Sequence, residues 1–237
     1  MIESVVCWKW NKPGYRSSFP SSAVNILRNQ VARHYPHPHR FICVTDDVTG
    51  IDEGIETYPL GDRFLNLKNP TWSWGPNCFP RLQAFAPEFE KLAGKRFVSI
   101  DLDTVITGDL TPLWNRSEDF VIYASVQARG AYNGSMFMMD TGARRQVWEQ
   151  FDPQNSPQIA NAAGHKGSDQ GWIEYVLGRG EATWTAADGI FAYRWDCLKT
   201  RRGQMPPNCR MVVFHGKYDP WQAATQAQSP WIAEHYK

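Results

Sequence analysis

The sequence has almost no charge imbalance. Its 25 Lys and Arg against 24 Asp and Glu leave a formal net charge of +1 over 237 residues. Without a basic excess there is no electrostatic footprint for nucleic acid or an anionic membrane. No apolar run approaches the roughly 20 residues needed to span a bilayer, and the start lacks the basic, apolar and small-residue regions of a secretory signal. Cysteine is sparse: Cys7, Cys43, Cys78, Cys197 and Cys209 are scattered, odd in number and never in Cys-x-x-Cys spacing. That argues against a disulfide framework or a zinc site and points to a reducing, cytoplasmic compartment. Repeats, linkers and low-complexity stretches are missing too, so one domain over 1–237 is expected.

What is present is apolar residues at 42%, enough for a full core, and 11 Trp within an aromatic share of 14%. Most of these rings belong in the core, but a surplus also suits a cleft that stacks sugars. Ser4 to Trp8 reads as a first strand, and Lys9 to Phe19, with Pro13 and Gly14, as a loop. Pro20-Ser21-Ser22 opens a helix with a serine N-cap and an apolar face of Val24, Leu27 and Val31. Phe41 to Val44 is a second strand and Ile55 to Pro59 a third, a β-α-β start that predicts an α/β fold with a largely parallel sheet.

Leu65 to Asn77 is irregular and aromatic, with Trp72 and Trp74. A strong helix is expected from Pro80 to Leu92, kinked or split at Pro87 and ended by Gly94. Further strands are expected at Phe120 to Ala124, Met136 to Met139 and Met211 to Phe214. A helix should start at Thr141 or Gly142 and run through Phe151, and another should follow its cap Ser168-Asp169-Gln170. Asp152 to His165 reads as a surface loop, and the C-terminal tail should pack over the sheet.

The chemistry centres on Phe97-Val98-Ser99-Ile100-Asp101-Leu102-Asp103. A buried strand there ends in two carboxylates one residue apart. In an open α/β sheet that end faces the ligand crevice, and two carboxylates call for a cation. Mg²⁺ or Mn²⁺ held to a phosphate fits. The plainer reading is that both acids are solvated or cap the next turn. Asn133-Gly134 just before a strand and His215 just after one are the other polar points at strand ends. Two carboxylates and an imidazole form a ligand set suited to Mn²⁺. Gly216 beside the imidazole would let the backbone approach a ligand.

With these residues in place, the chain resembles retaining glycosyltransferases of the GT-A fold, of the glycogenin and lipopolysaccharide galactosyltransferase type. Four motifs in order carry the likeness: Phe79-Pro80-Arg81-Leu82; the Asp101-Leu102-Asp103 strand; Tyr132 to Asp140; and Ser168-Asp169-Gln170 with His215-Gly216-Lys217-Tyr218-Asp219-Pro220-Trp221. They cover about residues 75 to 221. The resemblance implies a Rossmann-like, mixed but mainly parallel sheet flanked by helices. It implies metal-dependent hexose transfer from a nucleotide sugar, UDP-linked by preference, to a sugar or glycan acceptor, with retention.

The resemblance also implies residue roles. Asp101, Asp103 and His215 would bind Mn²⁺ or Mg²⁺, Asp101 lying near the ribose as well. Lys217 and Arg81 would meet the diphosphate or donor sugar, with Gly216 in the same loop. Cys7, Trp8, Lys9 and Asp46 or Asp47 would border the base. Asn133, Gly134, Asp169 and Gln170 would line the sugar and acceptor side, with Asp169, Gln170 and Lys217 taken as catalytic. Two departures stand out: Gly216 follows His215 directly, and Asp219 replaces the family's Lys before Pro-Trp. The Gly and Ser of the third motif are also swapped, which suggests a distant bacterial or phage-type branch. No residue stands out as an inverting base, although Asp169 and Asp188 stay open. Two other readings remain: a haloacid-dehalogenase-like phosphatase with Asp101 as nucleophile, and an inactive nucleotide-sugar-binding module.

Overall fold

The early apolar runs pair side by side. A computed structural model describes residues 1–11, 18–72, 77–124 and 132–237. The middle of the expected loop, with Pro13 and Gly14, and Trp74 lie outside the described residues. In chain order the elements are β1 (Ser4–Trp8), α1 (Ser21–His34), β2 (Arg40–Val44), β3 (Glu56–Tyr58), α2 (Glu90–Ala93), β4 (Arg96–Ile100), β5 (Thr104–Ile106), α3 (Thr111–Trp114), β6 (Phe120–Tyr123) and β7 (Asn133–Asp140). There follow α4 (Gln146–Glu149), α5 (Ser156–Ala162), α6 (Asp169–Leu177), β8 (Ala182–Trp184), β9 (Ile190–Ala192), β10 (Met211–Val213), α7 (Ala223–Gln228) and α8 (Trp231–His235).

The main sheet has the order β3-β2-β1-β4-β7-β6-β8. β3, β2, β1 and β4 are parallel, β7 runs against both β4 and β6, and β8 is parallel to β6. The mixed, mainly parallel α/β fold expected from the sequence is therefore present. β1 has β2 on one side and β4 on the other. Strand order reverses between them, which opens a crevice beyond their C-terminal ends. Successive residues of β4 serve both faces: Val98 and Ile100 join the cluster under α1, and Phe97 joins the cluster on the other face.

A second sheet, β5-β10-β9, was not anticipated. Met211 to Val213 forms a strand as expected, but it pairs antiparallel with β5 and parallel with β9. Three-residue strands carry too little periodicity to assign a partner. Residues of both sheets share one apolar cluster, in which Val5 and Cys7 meet Ile106, Ala192 and Met211.

Several local expectations change. The segment expected as a helix from Pro80 is split at Pro87, and most of it is 3₁₀: Phe79–Phe85 and Pro87–Phe89 precede the four-residue α2. Ala86 is extended, with φ −70° and ψ 137°, because a residue before proline is forced out of the α region. The apolar positions still face inward, with Leu82, Phe85, Ala86 and Phe89 all buried. Asp152 to His165 is not simply a loop but contains α5, whose Pro157 stands near its start, where a missing N–H costs nothing. Residues 141–145 form turns, and only α4 is helical there. No serine caps α1: its N-cap is Pro20, and Ser21 Oγ donates to the Thr49 carbonyl at 2.5 Å. No helix among the described residues is long and apolar enough to cross a membrane.

Candidate active site

The crevice is built outward from the end of β4. Asp101 leaves the strand with its N–H on the Ser135 carbonyl at 2.9 Å, which ties it to the start of β7. Asp103 is 3% exposed. The chain then turns back as β5, and β10 runs along it with Val213 opposite Thr104. The Phe214 N–H donates to the Asp103 carbonyl at 3.1 Å. That register carries His215 to the turn holding both acids. Among the described residues, no three His, Cys, Asp or Glu side chains are gathered closely enough to hold a metal ion. The backbone sets His215 beside Asp103, but the side chains do not form a coordination sphere.

Asp101 instead meets Arg81, whose Nη1 donates to Asp101 Oδ1 and to the Gly134 carbonyl at 3.0 Å. Arg81 Nε donates to Asp169 Oδ2 at 2.8 Å, and Nη2 lies 2.7 Å from the same oxygen. Burial works against the Arg81 charge, but Asp101 and Asp169 outweigh it and hold the guanidinium well above its ordinary value. Asp169 is 1% exposed; burial pushes its carboxyl up, Arg81 pulls it down and Asp101 adds a further push up. A buried pair of this kind resists the loss of either partner.

Gly134 is the floor of this network. A Cβ there would stand 2.8 Å from Arg81 Nη2 and 3.1 Å from Asp169 Oδ2. Its N–H donates to Gln170 Oε1 at 3.4 Å, and Asn133 Oδ1 accepts from the Ser135 N–H at 2.9 Å. Ser168, expected to cap α6, makes no side-chain cap bond. Its hydroxyl accepts from the Cys78 N–H at 3.0 Å and donates to Asp169 Oδ1 at 3.2 Å. Asp169 is thus a member of a buried ion network rather than a helix cap. Asn133, Gly134, Asp169, Gln170, Arg81 and Asp101 are all brought together.

At the end of β1 the assigned residues divide. Cys7 is fully buried and paired across the sheet with Cys43; burial, and then Cys43, push its thiol up. Trp8 donates from Nε1 to Ser99 Oγ at 3.0 Å and stacks on Phe89 at 5.8 Å. Both side chains are packing groups. Lys9 is buried, with Nζ 2.8 Å from Asp47 Oδ2. That hydrogen bond, with help from Thr49, draws the Asp47 carboxyl down to about 2. Asp46 is spent on the loop, accepting from the Leu60 and Gly61 N–H groups at 2.9 and 3.1 Å. Asp47 is therefore the acid beside Lys9.

The late loop is the other side of the corner. Gly216 adopts φ +77°, a left-handed conformation that favours glycine. Lys217 is exposed, with Nζ 5.3 Å from the Tyr218 ring centre. Asp219 holds the turn into α7, accepting from Gln222 Nε2 at 2.8 Å. Trp221 packs edge-on against Phe19 at 5.1 Å.

Sequence reasoning missed two neighbours. Tyr236 packs in a cluster with Val105 and Phe214, and burial, then Asp103 and Asp219, push its phenol up. The exposed Arg194 has Nη1 3.9 Å from where a Cβ on Gly216 would stand. No local pattern flags either residue, since both arrive from elements whose packing is set at long range. Asp188 closes a capping box with Thr185, at the end of β9 opposite the corner. A cavity of about 450 Å³ lined by Gly108, Asp188, Asn208 and Arg210 lies at that far end, away from the acids.

No protein-family model matches the chain, and no curated protein matches it in sequence. Solved structures do match. A galactosyltransferase, LgtC, in complex with donor and acceptor sugar analogs, superposes with a TM-score of 0.62 at 13% identity, over 99% of this chain and 96% of that one. The apo form of the glycosyltransferase GlyE of Streptococcus pneumoniae TIGR4 gives a TM-score of 0.62 at 13% identity, over 98% of this chain. The chain spans only 60% of that protein. At this identity the likeness establishes the fold: the chain has the GT-A arrangement of these glycosyltransferases.

Proposed function

We propose that the protein is a glycosyltransferase that moves a hexose from a nucleotide sugar, UDP-linked in the first instance, to a sugar or glycan acceptor, with retention of anomeric configuration. One observation carries the reading: the β5–β10 register delivers His215 to the turn that holds Asp101 and Asp103, beside the Arg81–Asp169 network. That is a cationic and anionic corner at the strand ends where α/β folds bind ligands.

Asp101, Asp103 and His215 are a donor set of the right chemistry for Mn²⁺ or Mg²⁺, two carboxylates and an imidazole suiting a cation that accepts oxygen and some nitrogen; to hold it their side chains would have to draw closer than they stand here, Asp101 turning from Arg81. The ion would supply charge neutralisation on the departing diphosphate. Arg81 orients Asp101 and Asp169 and presents positive charge toward the donor. Lys217, exposed on its loop, meets the developing negative charge of the leaving group. Asn133, Gly134 and Gln170 line the sugar side, and Lys9 with Asp47 borders the base. Both oxygens of the buried Asp169 carboxylate are engaged, Oδ2 by Arg81 and Oδ1 by Ser168, which argues against its serving as an inverting general base.

The test is direct. The protein is incubated with UDP- and GDP-sugars, with and without Mn²⁺, and nucleotide release is followed. Metal-dependent release supports transfer. Release of phosphate from a simple phosphomonoester, with none from nucleotide sugars, overturns it in favour of a phosphatase. Asp103→Ala should abolish metal-dependent release, and turnover that survives it rules out the shared-cation role.

A further inference from the structure

The buried face of α1 carries a polar residue among apolar ones. Ala23, Val24, Leu27 and Val31 pack inward, and Gln30 lies with them, 0% exposed. An amide taken out of water has to find its partners inside. Gln30 finds them on one strand. Its Nε2 donates to the Thr104 carbonyl at 3.2 Å, and its Oε1 accepts from the Ile106 N–H at 2.7 Å.

That strand, β5, has a partner on one edge only. The Asp103 carbonyl accepts from the Phe214 N–H, and the Thr107 N–H donates to the Arg210 carbonyl at 2.8 Å, so these residues bond toward β10. Main-chain groups alternate along a strand, and those of Thr104 and Ile106 therefore point to the opposite edge. There the Gln30 amide, with one donor and one acceptor, takes the place of one residue of a further strand. Thr104 and Ile106 are both fully buried. An apolar side chain at position 30 would leave their main-chain groups orphaned in the core.

Thr104 directly follows Asp103. The acid turn is thus hung from three places: Asp101 on the Ser135 carbonyl of β7, Asp103 on the Phe214 N–H just before His215, and Thr104 on Gln30. The first two anchors come from segments that themselves enter the crevice. The third comes from a helix that supplies no residue to the proposed site.

We infer that Gln30 is a positioning residue for this reaction: by closing the free edge of β5 it fixes the backbone of the Asp101–Asp103 turn and, through β10, the approach of His215. This rests on the transferase reading. The experiment compares the intact chain with three variants. Gln30→Met keeps the length and removes both bonds. Gln30→Asn, one methylene shorter, spans one partner at a time. Val24→Ala opens a cavity on the same helix and leaves β5 bonded. Amide hydrogen exchange is followed on the metal-free chains, nucleotide release from a UDP-sugar with Mn²⁺ on the loaded ones, and global stability by denaturant unfolding. With global stability corrected for, the Phe214 N–H of Gln30→Met should exchange about tenfold faster than that of Val24→Ala. Its kcat should fall about ten- to hundredfold, by more than donor KM rises, while Val24→Ala keeps its kcat. Gln30→Asn should move in the same direction by less, and it carries the comparison if Gln30→Met does not fold. Phe214 exchange that follows global stability alone, or an equal loss of kcat in the Gln30 variants and Val24→Ala, overturns the inference and leaves transfer standing. An intact chain that releases no nucleotide from any donor overturns both readings.

Discussion

Arg81 and His215 flank the same Asp101–Asp103 turn, and the chain holds them by different means. Arg81 is buried and locked by Asp101, Asp169 and the Gly134 carbonyl. His215 sits at the start of an exposed loop whose course depends on the left-handed Gly216 and the Asp219 turn. On the first side, geometry and stability are one property, because the charges that shape the site are also paired charges inside the core. On the second, the loop can be altered without opening the core. Substitutions should therefore separate along this line.

The largest expected effect is at Arg81. Arg81→Met leaves Asp169 buried without its cation and should cost about 3–5 kcal/mol of stability along with activity. Burial already raises the Asp169 carboxyl, and losing Arg81 raises it further. A raised carboxyl penalises the native state above its unfolded value and not below it. The deficit of Arg81→Met should therefore shrink as pH falls toward about 4; denaturant midpoints across pH measure this. A deficit that stays constant with pH would mean that Asp169 does not carry the charge.

Gly134→Ala comes next. The added Cβ falls on Arg81 Nη2 and Asp169 Oδ2, and overpacking of this kind costs about 1–3 kcal/mol. Nucleotide release should drop with it, and unchanged release would show that Arg81 can move aside freely. A smaller loss is expected for Asp47→Asn, which takes the charged partner from buried Lys9. Because the Asp47 carboxyl is drawn down to about 2, its support in the intact chain is present above the ordinary carboxylate range and is lost as pH falls toward about 2. Thermal melts from pH 6 to pH 2 should show the variant's difference from the intact chain narrowing. The smallest stability effect belongs to Lys217→Ala, expected within about 0.5 kcal/mol of the intact chain while release slows. A Lys217→Ala variant that unfolded early would erase the contrast between the two sides.

Much of this was legible along the chain. The strand ending in Asp101-Leu102-Asp103 announced itself, because an apolar run stopped by two acids one residue apart marks where a buried strand leaves the core. The Asn133-Gly134 and Ser168-Asp169-Gln170 segments were visible as polar points at element ends. Their contacts were not, since Ser168 holds Cys78 and Asp169 rather than a helix end. At Asp46 and Asp47 adjacent identical residues gave no way to choose, and the choice falls to whichever carboxylate the turn aims at Lys9. The helix expected from Pro80 splits at Pro87 as the proline required, with Ala86 extended, but the turn before it is wound as 3₁₀, a pitch that the spacing of its apolar residues does not distinguish from α.

The sequence alone determined where β1 to β4, β6, β7 and β10 lie, where the acids stop β4 and that the sheet is mainly parallel, because alternation and turn chemistry act over a few residues. Only the tertiary structure decided that β10 joins β5 in a second sheet, that Arg81 closes on Asp101 and Asp169, and that Tyr236 packs against Val105 and Phe214. Those contacts span about twenty to more than a hundred and thirty positions. Their energies depend on burial and charge that no local pattern encodes.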